Sequence, residues 1–417
     1  MTNWKETTLG EIATIKGGKR LPLGDSLQKE RSLHPYIKVT NVSGNAVNGV
    51  DEYVPDSVFE KIKRYTVDSG DVILSIVGTI GLVGKVPEYL HKANLTENCV
   101  KILPSEKLDS NYLFYFLSSR VGQSEILKNT VGAVQPKLPI YGVQNINLIL
   151  PPIEEQKEIA GVLSSLDDKI ELLQEENKTL EATAQVIFKE WFVNFNFPNA
   201  EGKPYKSSGG KMIDSDLGEI PEGWRVGKLG DSVDIRGGTT PSTKSQDFWN
   251  GVISWTSPKD LSNFNSIFLL KTEKTITEKG LSKISSGLLP IGTLLLSSRA
   301  PIGYLAITNI ELAINQGYIA FLPNKYLLNQ FMYLWLKINM DTVIGASNGS
   351  TFLEISKSSF RKIEIIVPDQ VILNMFQLSV NPIFERILNN THQIQTLSIL
   401  RDTLLPKLMS GKVGVKV

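Results

Sequence analysis

Two glycine pairs, Gly17-Gly18 and Gly237-Gly238, sit among side chains that donate or accept hydrogen bonds: Lys16, Lys19 and Arg20 around the first, Arg236, Thr239, Thr240 and Lys244 around the second. Glycine pairs mark loops whose backbone can come close to a partner. Lys38, Thr40 and Asn41 offer similar chemistry, as do Lys259, Ser298, Arg299, Asn315, Gln316, Asn348 and Ser350 further along. Arginine and lysine reach guanine edges, asparagine and glutamine pair with adenine, and hydroxyls or backbone amides take phosphates. The set is therefore suited to reading nucleic acid, although each member alone is also an ordinary surface group. Gln135-Pro136-Lys137, which aligns loosely with Phe352-Leu353-Glu354, adds candidates of lower rank.

Catalytic constellations are weak by comparison. Asn381-Pro-Ile-Phe384 faintly resembles the Asn-Pro-Pro-Phe/Tyr loop of amino methyltransferases, but it lacks the second proline and has no glycine-rich cofactor loop upstream. Pro55-Asp56 and Asp167-Asp168-Lys169 have no convincing nuclease spacing, and Gly78-x-x-Gly81-x-x-Gly84 is neither a dinucleotide fingerprint nor a phosphate loop. His34, His91 and His392 are scattered, and the single cysteine, Cys99, reads as a small core residue. The expectation is a chain without catalytic residues or bound metal.

The 417 residues suffice for two or three cores of ordinary domain size. Trp4, Lys5, Glu6 and Glu11 interrupt the stretch where a signal peptide needs an apolar core, and no apolar run reaches the roughly 20 residues of a membrane span. A cytoplasmic location without membrane contact is the expectation. The net charge of +1 hides an uneven distribution: +2 over 1–150, −6 over 151–192, −2 over 193–223, +5 over 224–367 and +2 over 368–417. The two largest segments are positive and one helical stretch is acidic, which fits a nucleic-acid reader better than the average does.

Internal repetition organises the chain. Trp4-Lys-Glu-Thr-Thr-Leu9-Gly10-Glu-Ile-Ala-Thr-Ile15-Lys-Gly17-Gly18 aligns without gaps on Trp224-Arg-Val-Gly-Lys-Leu229-Gly230-Asp-Ser-Val-Asp-Ile235-Arg-Gly237-Gly238, with six identities in fifteen positions. Gly70 to Ser75 matches Gly292 to Ser297, Tyr112 to Leu117 matches Phe331 to Leu336, and Ile149-Leu-Pro151 matches Ile366-Val-Pro368. The apolar runs Val72–Val77 and Thr293–Leu296 follow turn signals and read as buried strands, and 110–120 and 326–340 have helical spacing.

After each copy the period changes. Ile159, Leu163, Leu166, Ile170, Leu173, Asn177, Leu180, Ala184, Ile187 and Trp191 alternate steps of four and three, a heptad register. Phe376, Val380, Ile383, Ile387, Asn390, Ile394, Leu397, Arg401, Leu404 and Leu408 repeat it, with Pro382 expected to bend the helix and Pro406 near a frayed end. Antiparallel pairing about a common midpoint makes facing residues sum to about 567, which brings Asn177 to Asn390; either asparagine could instead sit at a wet edge.

Glu219-Ile-Pro-Glu-Gly-Trp224, Leu229-Gly-Asp231, Ile235-Arg-Gly-Gly-Thr239, Glu155-Gln156-Lys-Glu-Ile159-Ala160, Leu166-Asp-Asp-Lys-Ile170, Leu180-Glu181 and Phe188-Lys-Glu-Trp-Phe192 together resemble type I restriction-modification specificity subunits over essentially the whole chain. The resemblance implies an α+β chain with two mixed α/β target recognition domains in pseudo-twofold tandem, separated by an antiparallel coiled coil of two long helices conserved in that family. Its expected boundaries are a first recognition domain at 1–150, a central helix at 151–193, a linker at 194–223, a second recognition domain at 224–367 and a C-terminal helix at 368–411. The implied function is non-catalytic reading of a bipartite, asymmetric double-stranded DNA site. Two methyltransferase subunits would dock on the helices and restriction-translocase subunits would join through them. S-adenosylmethionine, ATP and Mg would belong to those partners. The departure from the family pattern is Asn374 to Ser379 with Pro382, which replace an acidic, glutamine-led helix start. The competing reading is a coiled-coil interaction scaffold without DNA readout.

Half-sites read from one face of B-DNA lie about one turn, roughly 34 Å, apart, and the 33 residues from Ile159 to Trp191 span on the order of 50 Å as a helix. Adding one heptad to both helices, about 10 Å, should lengthen the gap between half-sites by two or three base pairs and leave both half-sites unchanged. Methylation mapping reads the gap, and an unaltered one would refute the ruler.

Overall fold

The computed structural model of the chain describes residues 4–43, 46–262, 264–324, 327–349 and 353–416. Two short apolar runs form the centre of two sheets: Val72–Ser75 and Leu294–Ser298, every residue of which is buried. The first sheet runs in the order Ala13–Gly17, Cys99–Pro104, Val72–Ser75, Val83–Lys85, Ala46–Val47, Val42–Ser43. The second runs Ile235–Arg236, Tyr318–Phe321, Leu294–Ser298, Ile302–Thr308, Phe268–Leu269. The first four strands correspond one for one and pair antiparallel in both.

The aligned sequence segments carry the same local bonds. Ser75 Oγ donates to the Thr79 carbonyl at 2.6 Å and accepts from the Leu82 amide at 2.8 Å. Ser297 does the same with Pro301 and Tyr304, both at 2.8 Å. Lys5–Thr8 pairs with Asn147–Leu150, and Arg225–Lys228 with Glu364–Val367, so the start of each copy is stitched to its end.

Each copy contains a helix that is apolar on nearly all sides. Tyr112–Leu117 within Ser110–Ser118, and Phe331–Leu336 within Asn329–Ile338, are buried without interruption. Such helices must be covered all round. The first shares a core with Val72, Leu74 and Ile102 of its sheet and with Ile159, Leu163 and Leu408 of the long helices. The second shares one with Leu294, Phe321, Phe188, Phe376 and Phe384.

The two heptad stretches lie in unbroken helices, Ile153–Phe192 and Gln370–Met409, each of 40 residues. The second continues through both Pro382 and Pro406. The chain divides into two compact units, residues 1–170 with 396–417 and residues 171–395, so each owns part of both helices. Within the second unit the helices are antiparallel: Arg386 Nε donates to Glu176 at 2.8 Å, Asn390 Nδ2 donates to Asn177 Oδ1 at 2.9 Å, and Phe188 packs edge-on against Phe376. Within the first, Arg401 Nη1 donates to Asp167 Oδ1 at 2.7 Å while the Tyr115 hydroxyl donates to Oδ2 of the same carboxylate at 2.7 Å. Arg401, which breaks the apolar seam in the sequence, is thus answered by a charge-assisted bond. Burial and the facing carboxylate push the Tyr115 phenol well above its ordinary range, so it stays a donor.

The long helices also begin differently. Gln156, fully buried, accepts from the Asp109 amide and donates to the carbonyls of Lys107 and Pro151, fastening the first helix to its sheet unit. Seventeen residues before Asn390, at the equivalent place, stands the apolar Leu373.

The asparagine pair has unequal members. Asn390 is 0 % exposed and its Oδ1 has no partner among the described residues, whereas Asn177 is half-buried. Asn177→Leu should therefore cost about 1–3 kcal/mol by stranding a buried amide, while Asn390→Leu should cost much less, because Asn177 can turn to water. The double leucine variant should be neutral or stabilised. Denaturant midpoints of the three variants check the order, and equal costs for the two single changes would overturn it.

Candidate nucleic-acid interface

Gly18 and Gly238 occupy the same place in the two copies. A Cβ on Gly18 would lie 2.1 Å from the Thr96 carbonyl oxygen, and one on Gly238 would lie 1.8 Å from that of Ile314. No side chain fits either position, so the glycine pairs exist to press one loop onto another. From this contact outward the backbone bonds repeat. The Thr96 amide donates to Ile37 at 3.0 Å and Asn315 to Thr256 at 3.1 Å. Ile76 donates to Asn98 and Ser298 to Gly317, both at 2.8 Å, and then Leu138 donates to Ile76 at 2.9 Å and Ile355 to Ser298 at 3.0 Å. The bridges Val77–Lys137 and Arg299–Glu354 complete the series.

Five segments of each unit adjoin through these bonds: 17–20, 38–41, 76–79, 96–98 and 131–137 in the first, and 237–240, 257–260, 298–301, 315–317 and 348–349 with 353–354 in the second. Residues 350–352, including Ser350, lie outside the described residues. This is a rim of loops on a sheet edge, the arrangement by which a rigid scaffold presents variable side chains.

The sequence candidates fall on the rim in different ways. In the first unit Lys16, Lys19 and Thr40 are exposed. Arg20 is exposed and its Nε donates to Glu97 Oε1 at 2.7 Å. Lys38 is held by Glu52. Asn41 is 6 % exposed, with Oδ1 accepting from the Lys38 amide and Nδ2 donating to Gly49, so its side chain is consumed by the turn.

In the second unit Arg236 is exposed beside Asp234, and Lys259, Gln316 and Asn348 are exposed. Thr240 Oγ1 donates to Gln316 Oε1 at 2.8 Å. Thr239 donates to the Lys283 carbonyl and accepts from the Ser285 amide, and Asn315 Oδ1 accepts from Gly317. Arg299 lies 3.6 Å from Glu354, to which Asn348 is joined by two backbone bonds. Ser298 is 3 % exposed and faces inward.

One pairing was not legible beforehand. Arg20 with Glu97 and Thr240 with Gln316 stand at equivalent positions, an ion pair in one copy and a hydroxyl–amide pair in the other. Only the backbone frame, which sets Glu97 against Gln316, reveals this. Lys357, whose Nζ lies 2.8 Å from the place of a Cβ on Gly237, also joins the second rim. A sequence signal for it existed only in its charge.

The enzymatic alternatives have structural explanations. Asn381 to Phe384 lies within the second long helix, with Phe384 buried against Phe268 and Tyr333. Asp167 is taken by Tyr115 and Arg401. Burial pushes the Cys99 thiol up to about 12, which keeps it protonated and unreactive. Among the described residues no group of three or more metal-ligating side chains could hold an ion, and no helix is long and apolar enough to cross a membrane.

The family profile described as "Type I restriction modification DNA specificity domain" matches twice, over residues 1–182 and 221–389. The chain belongs to this family. The two matches fall on the two copies, and members of the family are the non-catalytic specificity component of their holoenzymes. The chain is 26 % identical to the type I restriction enzyme HindI specificity subunit of Haemophilus influenzae over 99 % of its own length and 100 % of that protein. It is 40 % identical to the MjaIX specificity subunit of Methanocaldococcus jannaschii over 37 % of its own length, where the match spans 36 % of the relative. Among solved structures, the type I restriction-modification S subunit from M. genitalium has the same fold, with a TM-score of 0.57 at 15 % identity over 98 % of this chain and 96 % of that one. Two α/β domains joined by long paired helices are thus the architecture of the family as well as of this chain.

Gly238→Ala tests the frame directly. Forcing a methyl group against the Ile314 carbonyl should cost about 1–3 kcal/mol and displace Thr239 and Thr240. DNA affinity should fall through changes at one half-site only. A variant with wild-type melting temperature and affinity would show that the contact is not needed.

Proposed function

We infer that this chain reads a bipartite, asymmetric double-stranded DNA site, one half with each rim, and directs partner subunits to it. The observation that carries the reading is the same frame holding different chemistry. At one equivalent position Arg20 and Glu97 offer a guanidinium beside a carboxylate, and at the other Thr240 and Gln316 offer a hydroxyl beside an amide. Guanidinium donors favour guanine and a glutamine amide favours adenine, so two copies of one fold would read unlike half-sites. Exposed Lys16, Lys19, Thr40, Arg236, Lys259, Asn348 and Lys137 surround these pairs and supply phosphate and base contacts.

The partners follow from the family. Two methyltransferase subunits would dock on the long helices, and restriction-translocase subunits would join through them. Adenine methylation and DNA cleavage would then occur on those partners, together with the S-adenosylmethionine, ATP and Mg that the reactions use. No step of that chemistry needs a residue of this chain beyond those that bind and position DNA.

Adenine-methylation mapping of the host genome before and after deletion of this chain should show the loss of one bipartite motif. Arg20→Ala with Glu97→Gln should relax one half of that motif only, and Thr240→Ala with Gln316→Ala the other half only. Each relaxation should cost about 1–3 kcal/mol of discrimination per base pair. An unchanged methylome on deletion would favour a scaffold that assembles other proteins without DNA readout.

A further inference from the structure

Lys16 and Lys101 stand directly opposite each other on the neighbouring antiparallel strands Ala13–Gly17 and Cys99–Pro104. Like charges in that position repel. Both line an open cleft of about 390 Å³ that also takes in Arg64 and Tyr65, and among the described residues no carboxylate lines it. The Arg64 guanidinium lies 4.8 Å from the centre of the Tyr65 ring and donates to its hydroxyl at 2.7 Å, and the Lys19 ammonium lies 6.0 Å from the same ring. Asp71, which does not line the cleft, pairs with Lys101 at 3.4 Å, and both side chains are 13 % exposed. Three cations, Lys16, Arg64 and Lys101, therefore line one cleft without a carboxylate in its lining, with Lys19 near its Tyr65 wall.

The fold does not require this. In the second copy the equivalent cross-strand pair is Arg236 opposite Ala320, and Arg236 has its own counter-ion in Asp234. The same sheet thus closes with a single cation in the cross-strand pair, and the doubled cross-strand charge belongs to the first copy. The cleft also abuts the first rim, since Gly17 lines it and the Lys19 amide donates to the Leu95 carbonyl at its edge.

We propose that this cleft seats a backbone phosphodiester of the DNA flanking the half-site read by the first unit, and that the second unit has no equivalent seat. The proposal rests on the DNA-reading function above. An arriving phosphate would accept from the Lys16 and Lys101 ammonium groups and from the Arg64 fork. Lys101, only 13 % exposed, acts where water screens least. The contact fixes register and carries no base information. Binding to the two half-sites should then differ in salt dependence.

The test uses the full chain assembled with its cognate methyltransferase subunits and a duplex bearing the mapped site. Wild type, Lys16→Gln, Lys101→Met and the double variant are compared by the slope of log affinity against log salt. Each phosphate contact contributes about 0.9 to that slope. The double variant should lose about one such step and keep its base preferences. Methylphosphonate placed at each backbone position in turn should find one phosphate whose neutralisation weakens wild type and leaves the double variant unaffected. An unchanged slope in the double variant, or no such silent position, overturns the seat. Should the double variant misfold, Lys16→Gln at its exposed site carries the slope measurement alone. If inorganic phosphate stabilises the DNA-free wild type and the variants lose that response with an unchanged DNA slope, the cleft takes a free anion and the proposal falls. A wild-type complex that fails to bind the bipartite duplex overturns the DNA-reading function itself, and is distinguishable because no variant is needed to see it.

Discussion

Covering a helix that is apolar on every side is the constraint from which the rest of each unit follows. Tyr112–Leu117 and Phe331–Leu336 leave no polar face for water, so a sheet alone cannot satisfy them. The long helices supply the missing cover: Ile159, Leu163 and Leu408 in one unit, Phe188, Phe376 and Phe384 in the other. At roughly 1.5–3 kcal/mol for each large apolar side chain fully buried, these contacts outweigh any single hydrogen bond in the seam. The heptad helices are consequently a layer of each domain's core as well as a pair with each other, and neither role can be changed without disturbing the other. Gln156 adds direction to this packing, because its three bonds fix where the first helix starts against the Lys107–Asp109 turn.

Above that core the two rims are held by backbone, which is why their side chains are free to differ. The amides of Thr96 and Asn315, of Ile76 and Ser298, and of Leu138 and Ile355 make matching bonds with unlike residues. Where a side chain does enter the frame, chemistry is interchangeable within narrow limits. Asn41 Oδ1 caps the turn that begins at Lys38, and the Asp260 carboxylate caps the equivalent turn at Ser257. An oxygen acceptor is what the turn demands, and either residue supplies it. The side chains at Glu97 and Gln316 differ on the same backbone frame, a carboxylate in one copy and an amide in the other.

The duplication, the strands Val72–Ser75 and Leu294–Ser298, the buried helices and the heptad helices were all legible, because repeated motifs and periodicity record burial. The strands end earlier or later than the apolar runs suggest, at Ser75 in one case and Ser298 in the other, and in each a serine, Ser75 or Ser297, belongs to the ladder and binds the following turn although it is not apolar. The apolar spacing at 110–120 and 326–340 conceals helix breaks at Ser119 and Asn339. Site residues were read less well. Charge and residue type nominated Lys16, Arg20, Thr240 and Gln316, which the fold leaves exposed at the rims, and also Asn41 and Ser298, which it buries. They passed over Glu97, Arg64 and Lys101, whose meaning depends on a partner across a strand or loop. A single sequence reports what a residue is; it does not report which residue faces it.

The polar interruptions of the seam show what such facing accomplishes. Asn390 faces Asn177, and Arg401 faces Asp167, so each interruption on the second helix meets a group that can bond to it. Slide one helix by a heptad in either direction and Asn390 would face Ile170 or Ala184, Asn177 would face Ile383 or Leu397, and Arg401 would face Ala160 or Gln174. All but Gln174 are apolar, and none is charged. A buried amide without a partner costs about 1–3 kcal/mol and a charged group more, so a slip that preserves every apolar contact still strands the Asn390 amide and parts Arg401 from Asp167. The aliphatic heptads alone would accept any such slip, because their period is the slip itself. Registration of the helices therefore depends on the few residues that look, in the sequence, like defects in the pattern.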